Sequence, residues 1–245
     1  MKIYNICAVI PIRNLKGVST SIKRAIESKS NFIEFRFDYI QNVEELDANM
    51  LKYLKEVTPD NISLIFTFRD HREGGKLEID SNQKDSIITK LFNAKPDYID
   101  IEINSEDNLL RKVNDLALDN NVKLIFSTHD FKETKNLEKS IDSIELFEKR
   151  LERLNFNEEL LNDSALKIIH TAIKFSDNFV PLDLCEYYRT KKKKIISFCM
   201  GNLGIFSRIF CLKAGAFLTY GSMEEITAPG QIKIEELREI IDKFI

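Results

Sequence analysis

A chain of 245 residues with a formal net charge of -3 lacks the basic field that a nucleic-acid partner demands. Apolar residues make up 43% and charged residues 31%, enough for a sizeable core. No apolar run approaches the roughly 18 residues of a bilayer span, so no membrane partner is expected.

The first residues, Met1 to Pro11, are too short in their apolar part for a secretion signal and run into Arg13 without a small-residue cleavage pattern. Cys7, Cys185, Cys199 and Cys211 form no C-x-x-C pair, and three lie in apolar runs where a reduced, buried thiol is usual. A reducing, cytoplasmic location is expected.

Short apolar, β-branched or aromatic runs recur about every 30 residues, and each is followed by a segment of helical period. The strands read Ile3–Ile10, Phe32–Phe37, Ser63–Phe68, Tyr98–Ile103, Lys123–Thr128, Ala165–Ile169, Ile195–Cys199 and Ala216–Tyr220. The helices read Val18–Ser28, Val43–Glu56, Lys84–Asn93, Glu106–Asp119, Lys135–Leu154, Asn178–Arg189, Ile205–Leu212 and Ile234–Phe244.

Strands buried on both faces and separated by helices require a parallel sheet with right-handed crossovers. Eight such units in this length close most economically into one α/β domain over residues 1–245, a (β/α)8 TIM barrel. An open doubly wound sheet is the alternative. It usually carries a Gly-rich turn after its first strand, and Pro11-Ile12-Arg13-Asn14 is no such turn. The run Lys191 to Lys194 reads as a solvated turn before strand seven. Gly74, Gly75, Gly201, Gly204, Gly221 and Gly230 fall just after strands three, seven and eight, in what become the loops of a barrel's catalytic face.

Lys167 stands out because it interrupts a short apolar strand. Burying an ammonium without a partner is costly, so such a lysine either reaches solvent or becomes a nucleophilic amine. The other strand ends supply companions. Strand two ends Glu34-Phe35-Arg36-Phe37-Asp38, whose period of two sends Glu34, Arg36 and Asp38 to one side. Arg69 follows strand three, with Glu73 in its loop placed to orient a neighbouring base. Strand four presents Asp100 and Glu102, and strand five ends at His129, the better acid-base candidate because imidazole titrates near neutral pH. Glu102 with His129 alone is a weak metal signal, and no metal is expected. His71 and His170 have surface or structural roles by default, although His170 lies close enough to Lys167 to face the same site. Arg208 offers a carboxylate clamp, and Gly221 to Gln231 has the composition of a lid. These residues alone describe a barrel lyase or isomerase for a small, oxygen-rich anion.

Six segments in order resemble the type I 3-dehydroquinate dehydratase family: Glu34 to Asp38, Phe66 to Arg69 with Glu73-Gly74-Gly75, His129-Asp130-Phe131, Lys167-Ile168, Met200-Gly201 through Ser207-Arg208, and Ala228 to Gln231. The resemblance implies dehydration of 3-dehydroquinate to 3-dehydroshikimate in the shikimate pathway. It implies a covalent imine on Lys167, with no metal or organic cofactor. His129 is then the general acid and base, and Glu73 holds its ring. Glu34, Arg36 and Arg69 bind ring hydroxyls, Arg208 the carboxylate, Met200 packs on the substrate ring, and Thr227 and Gln231 close the lid. Thr227 stands where the family commonly has serine, and Phe198 stands near an expected methionine. A homodimer is common in the family. A Schiff-base aldolase, a metal-dependent barrel enzyme and a silent metabolite sensor are the competing readings.

Overall fold

The computed structural model describes residues 4–245, so Ile3, the expected start of strand one, lies outside the described residues. Strands β1 (Ile6–Pro11), β2 (Phe32–Arg36), β3 (Ser63–Thr67), β4 (Tyr98–Glu102), β5 (Lys123–His129), β6 (Ala165–Thr171), β7 (Lys194–Met200) and β8 (Thr219–Ser222) form a single parallel sheet. Strands β1 to β7 pair in chain order, and β8 returns to pair with β1. Between β7 and β8 no ladder forms among the described residues. There the Phe217 N–H donates to the Ile195 carbonyl at 2.6 Å, which nearly closes the TIM barrel.

Helices α1 (Val18–Glu27), α2 (Ala48–Glu56), α3 (Ser81–Asn93), α4 (Asp107–Asn120), α5 (Leu137–Arg153), α6 (Glu158–Asp163), α7 (Phe179–Thr190), α8 (Ile205–Ala214) and α9 (Ile234–Phe244) cover the sheet. Caps explain most departures from the expected boundaries. Asp80 and Gln83 form a capping box that starts α3 at Ser81, earlier than its apolar period suggested. Asn42 caps a short turn at Val43–Glu45 and Asp47 caps α2, so the expected single helix from Val43 is broken in two. Helix α6 was not expected. Its Asn157 cap accepts from the Leu160 N–H and only Leu160 is buried, too few apolar residues to register as a period.

Two boundary shifts affect the site. Strand β2 stops at Arg36, and Phe37–Tyr39 turns as a 3-10 helix, so alternation does not carry through to Asp38. Strand β8 begins at Thr219, because Gly215 at φ 116° ends α8 and the next residues bridge to the strand. Gly221 therefore lies inside β8 rather than in its loop. A Cβ there would sit 2.9 Å from the Cα of Ile234, so glycine lets α9 start against the strand.

The strands alternate between two cores. On the outside, Phe126 of β5 packs edge-on against Phe147 of α5 and against Phe156, with centroids 5.2 and 5.8 Å apart. Among the buried residues are polar side chains from successive strands: Glu34, Thr67, Asp100, Glu102, Ser127 and Lys167. Burial of that many polar groups is tolerable only where they satisfy one another.

Candidate active site

Lys167 sits in the middle of β6, opposite Ser127 on β5 and Ile196 on β7, and is 5% exposed. Solvent exposure therefore does not account for it. Its Nζ donates to Asp100 Oδ2 at 2.9 Å, stands 3.6 Å from Glu34 Oε1 and lies 4.4 Å from the centre of the Tyr220 ring. Its nearest charges are thus carboxylates, not Arg36 or Arg69.

Arg69 explains how so many carboxylates share this interior. Its guanidinium reaches Asp100 at 2.7 Å, Glu102 at 2.9 Å and the Ser127 hydroxyl at 2.7 Å. Burial alone would push the Asp100 carboxyl up, but Arg69 and Lys167 hold it well below the usual range. Glu102 also accepts from Lys84 and from the Asp70 N–H, so both of its oxygens are engaged within the fold. Among the described residues, no group of three or more His, Cys, Asp or Glu side chains is placed to hold an ion. Arg36 is clamped by Asp38 at 2.8 and 2.9 Å, and Asp38 is itself fixed by the N–H groups of Arg69 and Lys76.

His129 ends β5. Its Nδ1 lies 3.0 Å from Glu73 Oε2, and Glu73 comes from the short turn His71–Glu73, which Asp70 caps by accepting the Arg72 N–H. Burial, assisted by the charges of Arg69 and Lys167, holds the His129 imidazole well below its ordinary pKa. Burial also pushes the Glu73 carboxyl up to about 7, although Arg69 pulls it the other way. The pair therefore holds a neutral ring against a carboxyl poised to exchange a proton near neutrality, which suits general acid-base work.

Arg208 comes from α8, across the barrel. Asn178 accepts the Ser207 N–H, and the Ser207 hydroxyl accepts the Cys199 N–H, which pins the start of the helix to β7. Arg208 is 1% exposed; its guanidinium lies 4.3 Å from the Phe198 ring centre, and its one side-chain hydrogen bond among the described residues goes to the Pro229 carbonyl, at 3.4 Å. Among the described residues its Nε has no partner and no carboxylate pairs with it, and burial pushes its pKa down to about 10.

The loop after β8 lies over this side. The Gly201 N–H donates to the Pro229 carbonyl, and Gly230 at φ 71° passes so close to Gly201 that a Cβ would stand 2.2 Å from its carbonyl oxygen. The Thr227 hydroxyl and N–H both donate to the Gln231 side-chain carbonyl, at 3.0 and 2.8 Å. Beneath the loop is a narrow cavity of about 50 Å³.

Glu34, Arg36, Arg69, His129, Lys167, Met200, Arg208, Thr227 and Gln231 all line that cavity, whereas Glu73 stands behind His129. His170 does not join them; it is on the opposite side of β6. The residue least legible in the sequence is Tyr220, whose ring faces the Lys167 amine from within an apolar run. Asp100 carried a signal, a charge in the middle of a buried strand.

A family model described as type I 3-dehydroquinase matches residues 6–244. The chain belongs to the type I 3-dehydroquinase family. Membership makes it an enzyme of that type, a lyase. A 3-dehydroquinate dehydratase from Clostridium novyi is 30% identical, with 98% of this chain and 92% of that protein covered. One from Bacillus subtilis is also 30% identical, over 86% of this chain and 80% of its own length. Among solved structures, the type I 3-dehydroquinate dehydratase from Clostridium difficile, with covalently modified comenic acid, superposes with a TM-score of 0.82. It is 27% identical and covers 99% of this chain and 93% of its own. The enzyme from Geobacillus kaustophilus, at 21% identity and a TM-score of 0.84, shares the fold. No helix among the described residues is long and apolar enough to cross a membrane.

Proposed function

We propose that the protein dehydrates 3-dehydroquinate to 3-dehydroshikimate, in the shikimate pathway, through an imine on Lys167. The observation that carries this reading is a buried amine and a buried, carboxylate-free arginine lining one cavity, with a histidine and carboxyl pair between. The Arg208 guanidinium takes the substrate carboxylate, and Glu34, Arg36 and Arg69 face the ring hydroxyls. The Lys167 amine adds to the ketone and water leaves. The resulting iminium acidifies the adjacent C–H, whose proton passes to neutral His129. The enamine then expels the β-hydroxyl, which leaves as water with a proton from His129, and hydrolysis returns the amine. Met200 packs on the ring, and Thr227 and Gln231 hold the loop closed. Drawn this way, the reaction uses no metal or organic cofactor.

The test is borohydride reduction in the presence of 3-dehydroquinate, followed by peptide mapping. A stable added mass on Lys167 is expected, and Lys167→Ala should lose it. An adduct on another residue, or none, overturns the imine. Retention of activity after exhaustive chelation is also expected, and its loss would favour a metal-dependent reaction.

A cytoplasmic homodimer belongs to the same proposal. The four cysteines are unpaired and buried, in keeping with a reducing compartment. Ile173, Phe175, Phe179 and Leu203 are each close to half exposed or more, which supports a self-association face. Light scattering should report twice the chain mass, and Phe179→Asp should halve it; a monomer at all concentrations removes the proposal.

A further inference from the structure

Alternation in the short strand β8 fixes where Tyr220 points. Gly221 faces outward, against Ile234 of α9, so its neighbour Tyr220 turns into the barrel, level with Cys7 of β1, and lines the same narrow cavity as Lys167. The side chain is 4% exposed. Phe198 of β7 holds its ring from the side, edge to face, with centres 6.3 Å apart and planes at 62°.

An ammonium has three N–H groups to satisfy. The Lys167 ammonium gives one to Asp100 Oδ2 at 2.9 Å, an oxygen that also accepts from Arg69 at 2.7 Å. Glu34 Oε1 stands farther off, at 3.6 Å, and already accepts the Thr67 hydroxyl at 2.8 Å. The remaining neighbour is the Tyr220 ring, whose centre lies 4.4 Å from Nζ. The face of an aromatic ring is negative, and it attracts a cation without requiring a directed hydrogen bond. The phenol group itself takes no part. Its oxygen has no hydrogen-bond partner among the described residues, and burial, reinforced by Glu34, holds it well above its ordinary pKa, so it keeps its proton.

We infer that Tyr220 is a positioning residue for the reaction: its ring face aims the Lys167 nitrogen and supports the positive charge of the iminium. The inference rests on the imine proposed for Lys167. When the amine adds to the ketone and water leaves, the iminium nitrogen keeps a single N–H and gives up hydrogen bonds that the ammonium could make. The resting ammonium can also lean toward Asp100 and Glu34, whereas the iminium is fixed through the substrate that Arg208 clamps. A ring face needs no N–H, so its attraction counts for more in the iminium than in the ammonium. That difference is the condition for a contact to raise kcat rather than only tighten binding.

The test is a series of variants at position 220. Tyr220→Leu removes the ring, and kcat should fall about tenfold with KM within about twofold of wild type, because the Arg208 clamp is untouched. Tyr220→Phe restores the ring without the hydroxyl and should recover the lost kcat. Tyr220→pentafluorophenylalanine keeps an aromatic ring of similar shape but reverses the charge on its face, so kcat should fall at least as far as in Tyr220→Leu. This variant decides the matter even if Tyr220→Leu fails to fold. Equal kcat for the phenylalanine and pentafluorophenylalanine proteins overturns the inference, as does an effect confined to KM or a loss in Tyr220→Phe that would give the role to the hydroxyl. The two proposals fail in different ways. A wild-type protein with no borohydride adduct on Lys167 removes the imine and this inference with it, whereas an adduct in wild type together with a flat series removes only the role of Tyr220.

Discussion

Arg69 and Arg208 line the same cavity, both with almost no exposure, and they are held in opposite ways. On the side of β2 to β5, Arg69 is surrounded by Asp100, Glu102 and Ser127, and Asp100 passes its other contact to Lys167. On the side of β7 and β8, Arg208 meets an aromatic face and one long contact to a carbonyl. A guanidinium with its partners inside the fold supports the fold and sets the field around it. One without them is left to be neutralised by what enters. The difference separates an arginine that also holds the site together from one whose charge is left free, and charge type alone does not make that distinction.

The largest expected effect breaks the recognition side. Arg208→Met removes the charge-assisted, desolvated contact proposed for the substrate carboxylate, and kcat/KM should fall about a hundredfold to a thousandfold. Because no internal partner is stranded, stability in urea should be unchanged or slightly higher. A clear loss of stability would show that Arg208 has a structural partner after all. Arg69→Met should do the reverse. It leaves Asp100 and Glu102 facing a methionine, so about 3 kcal/mol of unfolding free energy should be lost. Equal stability of the two variants would erase the contrast.

Much of this is legible in the sequence, for definite physical reasons. Alternating strands and helices announce a parallel barrel, and polar residues at strand ends announce its catalytic rim. Lys167 was visible because a lysine in the middle of an apolar strand violates the pattern. What the sequence could not convey was pairing across strands. Arg69 reads as a ligand-binding fork, and nothing local shows that it also donates to residues 31 to 58 positions away. Asp38 read as a third inward charge because period-two counting assumes that the strand continues, and the chain turns after Arg36. Which face His170 takes depended on where β6 ends; it continues to Thr171 and sends His170 outward.

The contrast extends to pH. Burial raises the Glu73 carboxyl to about 7 against the pull of Arg69, so kcat/KM should rise with pH through a limb near neutrality as Glu73 ionises behind His129. Arg69→Met removes a positive charge that favours the carboxylate, and the limb should move about one unit upward. Arg208→Met should lower the whole profile without moving it. Activity reads this better than stability, because the two partners act with opposite sign. A raised Glu73 contributes stability that is full below its ordinary pKa and is lost as pH rises through about 7. His129, held low, contributes stability that is present above its ordinary pKa and lost as pH falls below it. A limb that fails to move in Arg69→Met would show that the acid-base pair does not sense the β2 to β5 network.

The smallest effect concerns how the recognition side is kept closed. The Thr227 hydroxyl donates to Gln231, and the surrounding loop is tied down by Arg13 to Glu225 and Arg24 to Glu224, both solvent-facing ion pairs of little value. The loop is therefore held near Arg208 chiefly by the Gly201 and Gly230 approach and by this hydrogen-bonded pair. Thr227→Val keeps the shape and deletes one neutral hydrogen bond, so KM should rise about fivefold, equivalent to roughly 1 kcal/mol, with kcat little changed. Thr227→Ser retains the hydroxyl and should leave KM where it was. If Thr227→Ser raises KM and Thr227→Val does not, packing of the methyl group rather than the hydroxyl closes the loop.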